Sequence, residues 1–322
     1  MDRGEPQPSD NQPQEPERTS GIMRVPAFSP EDESALLGSI KRDLFDGHRE
    51  WPGEREKTPS EMEIINAILV SLPEFIKEYG GKPLALRADH LHVIDYDNLT
   101  EDEKKRRSSP GFFMSKNQEA LVVCKSENYS AIKFAEVVVH ELIHFSSFQS
   151  VDYSAESRKI SERTLGFAMT VTNGKNPDDK PELYFHGVNE AITAELTKRF
   201  SEKYLGSIPV LAEDINRRNE FRAEIKKGDA TEIMVFSNTK KPDGTWRAIS
   251  EDYPYADERE NCWAMMQEIQ EKNPDKFRDA EGVFRGFVNA YFTGRFMPVV
   301  RLLEKTYGKG FFRRLGKNTK AE

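Results

Sequence analysis

Apolar residues recur along this chain at spacings that predict a small sheet, a buried helix and then a mostly helical stretch. Thr58-Pro59-Ser60-Glu61 opens the first well-marked helix. Thr with Glu three residues on is a capping box, and Pro suits a first turn. Met62, Ile65, Ile68, Leu69 and Leu72 continue on one stripe, Pro73 kinks or restarts the helix, and Gly80-Gly81 stops it. Pro83 to Ala88 and Leu91 to Tyr96 read as extended runs, and the mixed charges of Glu101 to Arg107 as a solvated turn. Phe112 to Ser115 and Ala120 to Cys124 read as strands joined around Lys116-Asn117. Residues 133 to 148, KFAEVVVHELIHFSSF, predict a helix that is apolar nearly all round, with Ser130 as its N-cap. Such a helix is buried. Thr164 to Val171 and Glu182 to Phe185 can pair across a loop holding Asn173-Gly174 and Pro177, and a second helix runs from near His186 to about Tyr204. Beyond Gly206 the pattern is helical over Val210 to Lys226, Ala256 to Glu271, Lys276 to Tyr291 and Phe296 to Thr306, with a strand-like piece at Glu232 to Phe236. Gly308 and Gly310 close the last helix, and the tail from Phe311 to Glu322 is basic.

The first 28 residues break this pattern. They are rich in Pro, Gln, Glu and Ser with almost no large apolar side chain, a composition expected to stay disordered. Ser29-Pro30-Glu31-Asp32 then signals a helix start, and Leu36, Leu37, Ile40 and Leu44 share one stripe. This short helix either docks on the body or acts as a removable pro-segment, and docking is favoured. Four parts follow: a tail (1–28), an accessory helix and connector (29–57), a unit carrying the sheet, the buried helix and the helix from His186 (58–205), and a helical remainder (206–322). A net charge of −8 over 322 residues gives no electrostatic case for nucleic acid. No apolar run is long enough to span a membrane, and the N-terminus lacks a signal-peptide core. Cys124 and Cys262, the only cysteines, make no disulfide framework. A reducing cytoplasm is the expected location.

The chemistry lies in His140-Glu141-Leu142-Ile143-His144. Helix positions four apart stack on one face, so His140 and His144 can offer two imidazole nitrogens to one metal ion. Glu141 points to the neighbouring side, where it can act as general base on a zinc-bound water. Burying two histidines and a glutamate without partners would be costly, which favours a metal over two core histidines bonded to backbone carbonyls.

A catalytic zinc site needs three protein ligands and an open position. The H-E-x-x-H-x-x-G-x-x-H continuation fails, because Ser147 and Ser150 fall where its Gly and last His would be. Asn189-Glu190-Ala191-Ile192-Thr193 offers a glutamate on the next helix instead. With HELIH before it, this segment resembles the gluzincin metallopeptidases, in particular thermolysin-like enzymes, over roughly residues 133 to 204. The resemblance implies an α+β, zincin-like two-lobed domain: a small sheet and the active-site helix, then a mostly helical C-terminal lobe, with zinc in the cleft. It implies His140, His144 and Glu190 as metal ligands, Zn2+ as the cofactor, Glu141 as the catalytic base and a peptide or protein as substrate. Two departures stand out. About 45 residues separate His144 from Glu190, more than compact members use. The family's histidine-orienting carboxylate, four residues after the ligand glutamate, falls on Ala194, so either Glu195 or another group orients the imidazole.

Other residues are open candidates. His186, four before Glu190, can serve as a fallback ligand or an oxyanion donor. Tyr184, Tyr253, Tyr255 and Tyr291 are possible phenol donors but equally packed aromatics. His90 and His92 share a strand face and His48 carries no signal. The alternative to a zinc-dependent metallopeptidase is a non-catalytic zinc-binding interaction protein that retains the zincin fold.

Overall fold

The computed structural model describes residues 51–318, except 108, 116–117, 126–129, 155–158, 172–181, 225–232 and 241–245. The tail, the helix expected from Ser29, His48, the Lys116-Asn117 turn and the Asn173-Gly174/Pro177 loop lie outside the described residues.

Strand β1 (Glu54–Arg55) leads into helix α1 (Pro59–Glu78). The capping box forms as expected: Thr58 Oγ1 accepts from Glu61 N at 3.2 Å, and Glu61 Oε2 accepts from Thr58 N at 2.8 Å. Glu61 is fully buried, and Arg55 compensates with two hydrogen bonds of 2.7 and 2.8 Å. The helix runs through Pro73 without restarting, burying Ile64, Ile65, Ile68, Leu72, Phe75 and Ile76. It ends where Gly80, at φ 78°, turns the chain into the left-handed region.

The first sheet consists of β1, β2 (Leu91–Asp95), β3 (Gly111–Met114) and β4 (Glu119–Cys124), in the order β1-β2-β4-β3. β2 and β4 are parallel and the two outer pairs antiparallel, which leaves β3 at an edge. Strand alternation divides the side chains between two faces. Leu91, Val93, Ala120 and Val122 face the main core, while Ile94, Leu121 and Val123 form a small second cluster beside Trp51 and Phe112. The charged segment expected as a turn is instead a short helix, α2 (Glu101–Arg106). Thr100 and Glu103 cap it reciprocally, and its acidic first turn and basic last turn suit the helix dipole.

Helix α3 (Ala131–Ser146) starts at Ser130 and buries nearly every side chain. Val138, Val139, Leu142 and Ile143 have no exposure. Each such side chain contributes about 1.5–3 kcal/mol, so α3 is a rigid support. A second, antiparallel sheet follows, β5 (Gln149–Ser154), β6 (Lys159–Leu165), β7 (Ala168–Val171) and β8 (Glu182–Tyr184), paired in chain order. The stretch expected as one run from Thr164 to Val171 is broken by a turn at Gly166 into the end of β6 and β7; β7 pairs with β8, and β5 is additional. This meander accounts for the long interval between His144 and the next helix, α4 (His186–Tyr204).

The remainder is mostly helical: α5 (Ala212–Glu224), α6 (Ala256–Lys272), α7 (Ala280–Thr293), α8 (Met297–Tyr307) and α9 (Phe311–Asn318). A hairpin of β9 (Ile233–Lys240) and β10 (Trp246–Asp252) interrupts it. α9, expected only as a basic tail, returns to the start of α4. Phe185 N donates to Gly316 O at 3.1 Å, and the Phe185 and Phe312 rings lie 4.4 Å apart. One continuous apolar cluster joins α1, the inner face of the first sheet, α3, α4 and α6 to α8. The chain is thus a mixed α+β protein with a mostly helical C-terminal part. Among the described residues no helix is long and apolar enough to cross a membrane.

Candidate metal centre

Helices α3 and α4 bring three side chains to one point. His140 Nε2 and His144 Nε2 are 3.2 Å apart, and Glu190 Oε2 lies 3.4 Å from each. Among the described residues this is the one group of three or more His, Cys, Asp or Glu that could hold a metal ion. The histidines arise from one turn of α3, their rings at 76°. Glu190 sits in the first turns of α4. Burial alone would raise its carboxyl, but the charge of His144 and hydrogen bonds from both imidazoles outweigh burial and hold it well below the usual carboxylate range.

Asn189 fixes the start of α4. Its Oδ1 accepts from Phe167 N at 2.9 Å and Ala168 N at 3.4 Å, so its carboxamide closes the β6–β7 turn. Gly166 in that turn is at φ 56°, and a Cβ there would come within 2.4 Å of Asn189 Oδ1 and Tyr291 Cε2. Only glycine meets both demands. The Asn189 amide reaches Glu190 Oε1 at 3.4 Å.

The far nitrogens of the two histidines differ. His144 Nδ1 lies 3.5 Å from both Thr193 Oγ1 and Tyr291 OH, which are 2.9 Å from each other. Thr193 also donates to Asn189 O at 2.9 Å. A proton on Nδ1 can be received there, which leaves Nε2 free to ligate. Among the described residues the buried His140 Nδ1 has no hydrogen-bond partner, and Ala194 is fully buried on α4. Glu195 does not take over the orienting role. It is held by Arg199 at 2.8 Å and by Arg259 at 2.8 Å, and forms an ion-paired brace between α4 and α6.

Glu141 points from α3 towards the edge strand β3. Burial pushes its carboxyl up to about 7, with His140 opposing and Glu190 reinforcing the shift. A Cβ on Gly111 would stand 2.4 Å from Glu141 Oε1 and 2.7 Å from Val137 Cγ1, so the missing side chain makes room for the carboxyl. Nothing in the sequence singled out Gly111.

Of the four tyrosines, Tyr255 reaches the cluster. Its ring lies face to face with His140, centroids 6.3 Å apart at 14°, and burial together with a hydrogen bond to Glu190 raises its phenol. Tyr291 is fully buried and supports His144 from behind, Tyr253 donates to Glu136 at 3.0 Å, and Tyr184 bonds Glu182. His186 Nδ1 is 3.8 Å from Glu190 Oε1 at the more open side. His92 sits apart, its Nδ1 2.7 Å from Glu54, and His90 stacks on Phe145.

No protein-family model, no curated protein and no solved structure matches this chain. The class of the protein therefore rests on the site itself: two imidazole nitrogens and one carboxylate oxygen, converging beside a buried, protonatable glutamate.

Proposed function

We propose that the protein is a zinc-dependent metallopeptidase of zincin type. The observation that carries this reading is the convergence of His140 Nε2, His144 Nε2 and Glu190 Oε2 within 4.8 Å of one another. Two imidazole nitrogens and one carboxylate oxygen make the N,N,O donor set of a catalytic zinc site. The unpartnered His140 Nδ1 is compatible with an imidazole held through its other nitrogen. His140, His144 and Glu190 would hold the ion. Bound zinc supplies a Lewis acid that polarises a carbonyl and acidifies a water.

The chain's own residues supply the rest. Glu141 takes a proton from the attacking water and returns it to the leaving amine. Burial raises this carboxyl in the metal-free chain, and a raised carboxyl can both accept and release a proton. Gly111 leaves space for that carboxyl, Thr193 and Tyr291 orient His144, and the Tyr255 hydroxyl can donate to the oxyanion that develops on the substrate. A peptide substrate follows from the likeness of HELIH and NEAIT to the gluzincin pattern.

The rival reading, a non-catalytic zinc-binding interaction protein, draws on the lack of an acceptor for His140 Nδ1. Glu141 weighs against it, since a structural site has no use for a buried base. Hydrolysis of a fluorogenic peptide library, with and without a zinc chelator, tests the two. Chelator-sensitive cleavage supports the enzyme. Stoichiometric zinc without cleavage supports the rival, and no zinc after reconstitution removes both.

A further inference from the structure

Tyr255 occupies an uncommon backbone conformation, φ 59° and ψ 41°, immediately before α6. A non-glycine residue stays in the left-handed region only when its surroundings hold it there. Those surroundings lie along α3, at three successive levels. Lys133 Nζ binds both carboxylate oxygens of Glu251, at 2.8 and 2.6 Å. Glu136 Oε1 accepts from Tyr253 OH at 3.0 Å. The Tyr255 ring covers His140. Residues 133, 136 and 140 follow the helical repeat along one face of α3, while 251, 253 and 255 follow a repeat of two. From 133 to 140 the helix rises about 10.5 Å, and four extended residues cover about 13 Å. The chain is strand only through Asp252 and bends at Pro254, which shortens the span.

Glu136 is the centre of this arrangement. It is 1% exposed, and no part of the proposed hydrolysis uses it. Ser201 of α4 donates to its Oε2, Arg218 of α5 lies 3.5 Å from its Oε1, and Tyr253 completes the set. Arg218 also donates to Met234 O at 3.2 Å, which ties in the foot of the β9–β10 hairpin. One buried carboxyl thus fastens both ligand-bearing helices to the segment that carries Tyr255.

We propose that residues 251–255 form a rail docked along α3 that sets Tyr255 over His140, with Glu136 as its buried anchor and hence a positioning residue of the site. The consequence for the metal centre rests on the zinc reading above, whereas the rail stands without it.

The test places 3-fluorotyrosine at position 255 in the full chain and records its 19F resonance with and without added zinc. In the parent, the resonance differs from that of free fluorotyrosine and shifts when zinc binds. Tyr253→Phe removes only the anchoring hydroxyl. It should move the resonance towards the free position and abolish the zinc-induced shift, with zinc affinity and circular dichroism unchanged. A role confined to general stability would not single out the 255 signal. Glu251→Gln, at the half-exposed pin, displaces the same signal in a protein whose core is intact, and it decides the matter if Tyr253→Phe does not fold. A resonance and a zinc response identical to the parent in these variants would overturn the rail. A parent that binds no zinc would remove the metal reading alone, and the zinc-free spectra would still decide the rail.

Discussion

Replacing Glu190 and Glu195 one at a time should separate metal binding from folding. The two lie on one helix, about 140° apart around its axis because five residues advance 500°. Glu190 Oε2 is 3.4 Å from both histidine nitrogens. Glu195 is 2.8 Å from Arg259, in a pair whose side chains are 10% and 5% exposed. Glu195→Ala removes a nearly buried ion pair with Arg259, and breaking a buried pair costs ~3–5 kcal/mol. Zinc at 100 times its dissociation constant adds ~2.7 kcal/mol to the stability of a chain that binds it only when folded. Glu190→Gln keeps the volume but weakens the third ligand. A hundredfold loss of affinity would cut the increment at the same free zinc to ~0.4 kcal/mol. Urea unfolding with and without buffered zinc measures both quantities. The expected result is a lower baseline with an intact zinc increment for Glu195→Ala, and a lost increment for Glu190→Gln. The reverse pattern would refute the assignment of Glu190 as ligand, and equal increments in all three proteins would refute the metal centre.

Three further outcomes are expected. Glu141→Gln should abolish peptide cleavage while zinc content by elemental analysis and the melting temperature stay near those of the parent; substantial remaining activity would exclude Glu141 as the base. Gly111→Ala places a methyl 2.4 Å from Glu141 Oε1 and should lower kcat at least ~10-fold with zinc retained, as expected when a catalytic group is displaced by about 1 Å. Unchanged kinetics would show that Glu141 does not depend on this space. Burial raises Glu136 from 4.5 to about 7, so the folded chain binds that proton more tightly than the unfolded chain. The resulting stabilisation is fully present below pH 4.5 and is lost as pH rises through about 7. The parent minus Glu136→Gln difference in urea stability should therefore fall with pH, by on the order of 3 kcal/mol in all, and parallel curves would contradict the raised pKa.

Features set by local spacing were legible in the sequence. The stacking of His140 on His144, the Ser130 and Thr58 caps, and the position of Glu190 in an early turn of α4 each follow from residues within one helical turn. α2 could have been read from Thr100 and Glu103, a capping box of the same type as Thr58 and Glu61, but its run of charges suggested a solvated turn. β5, β6 and β10 each pair with the strand next to them in the chain, but segments such as KISERTL and WRAISED are too polar to show strand alternation. The contact of Gly111 with Glu141 and the capture of Glu195 by Arg259 depend on how separate elements pack, which no spacing within one segment encodes. In the sequence Tyr255 is one of four equivalent candidates, and what distinguishes it is its ring beside His140 and its hydrogen bond to Glu190, contacts made between separate elements.

The return of α9 to Phe185 bears on the order in which the protein acquires its site during synthesis. Phe185 precedes α4, and its amide is bonded to Gly316, where a side chain would collide with the Phe185 ring at 2.5 Å. A nascent chain that has passed Glu190 but not yet reached Gly316 holds all three ligands, yet the helix bearing one of them lacks this tie at its first turn. Metal capture should therefore trail ligand synthesis by more than a hundred codons. Ribosome-arrested chains of graded length, assayed for zinc retention, would locate the step; retention already complete in chains that end before residue 311 would rule out the delay.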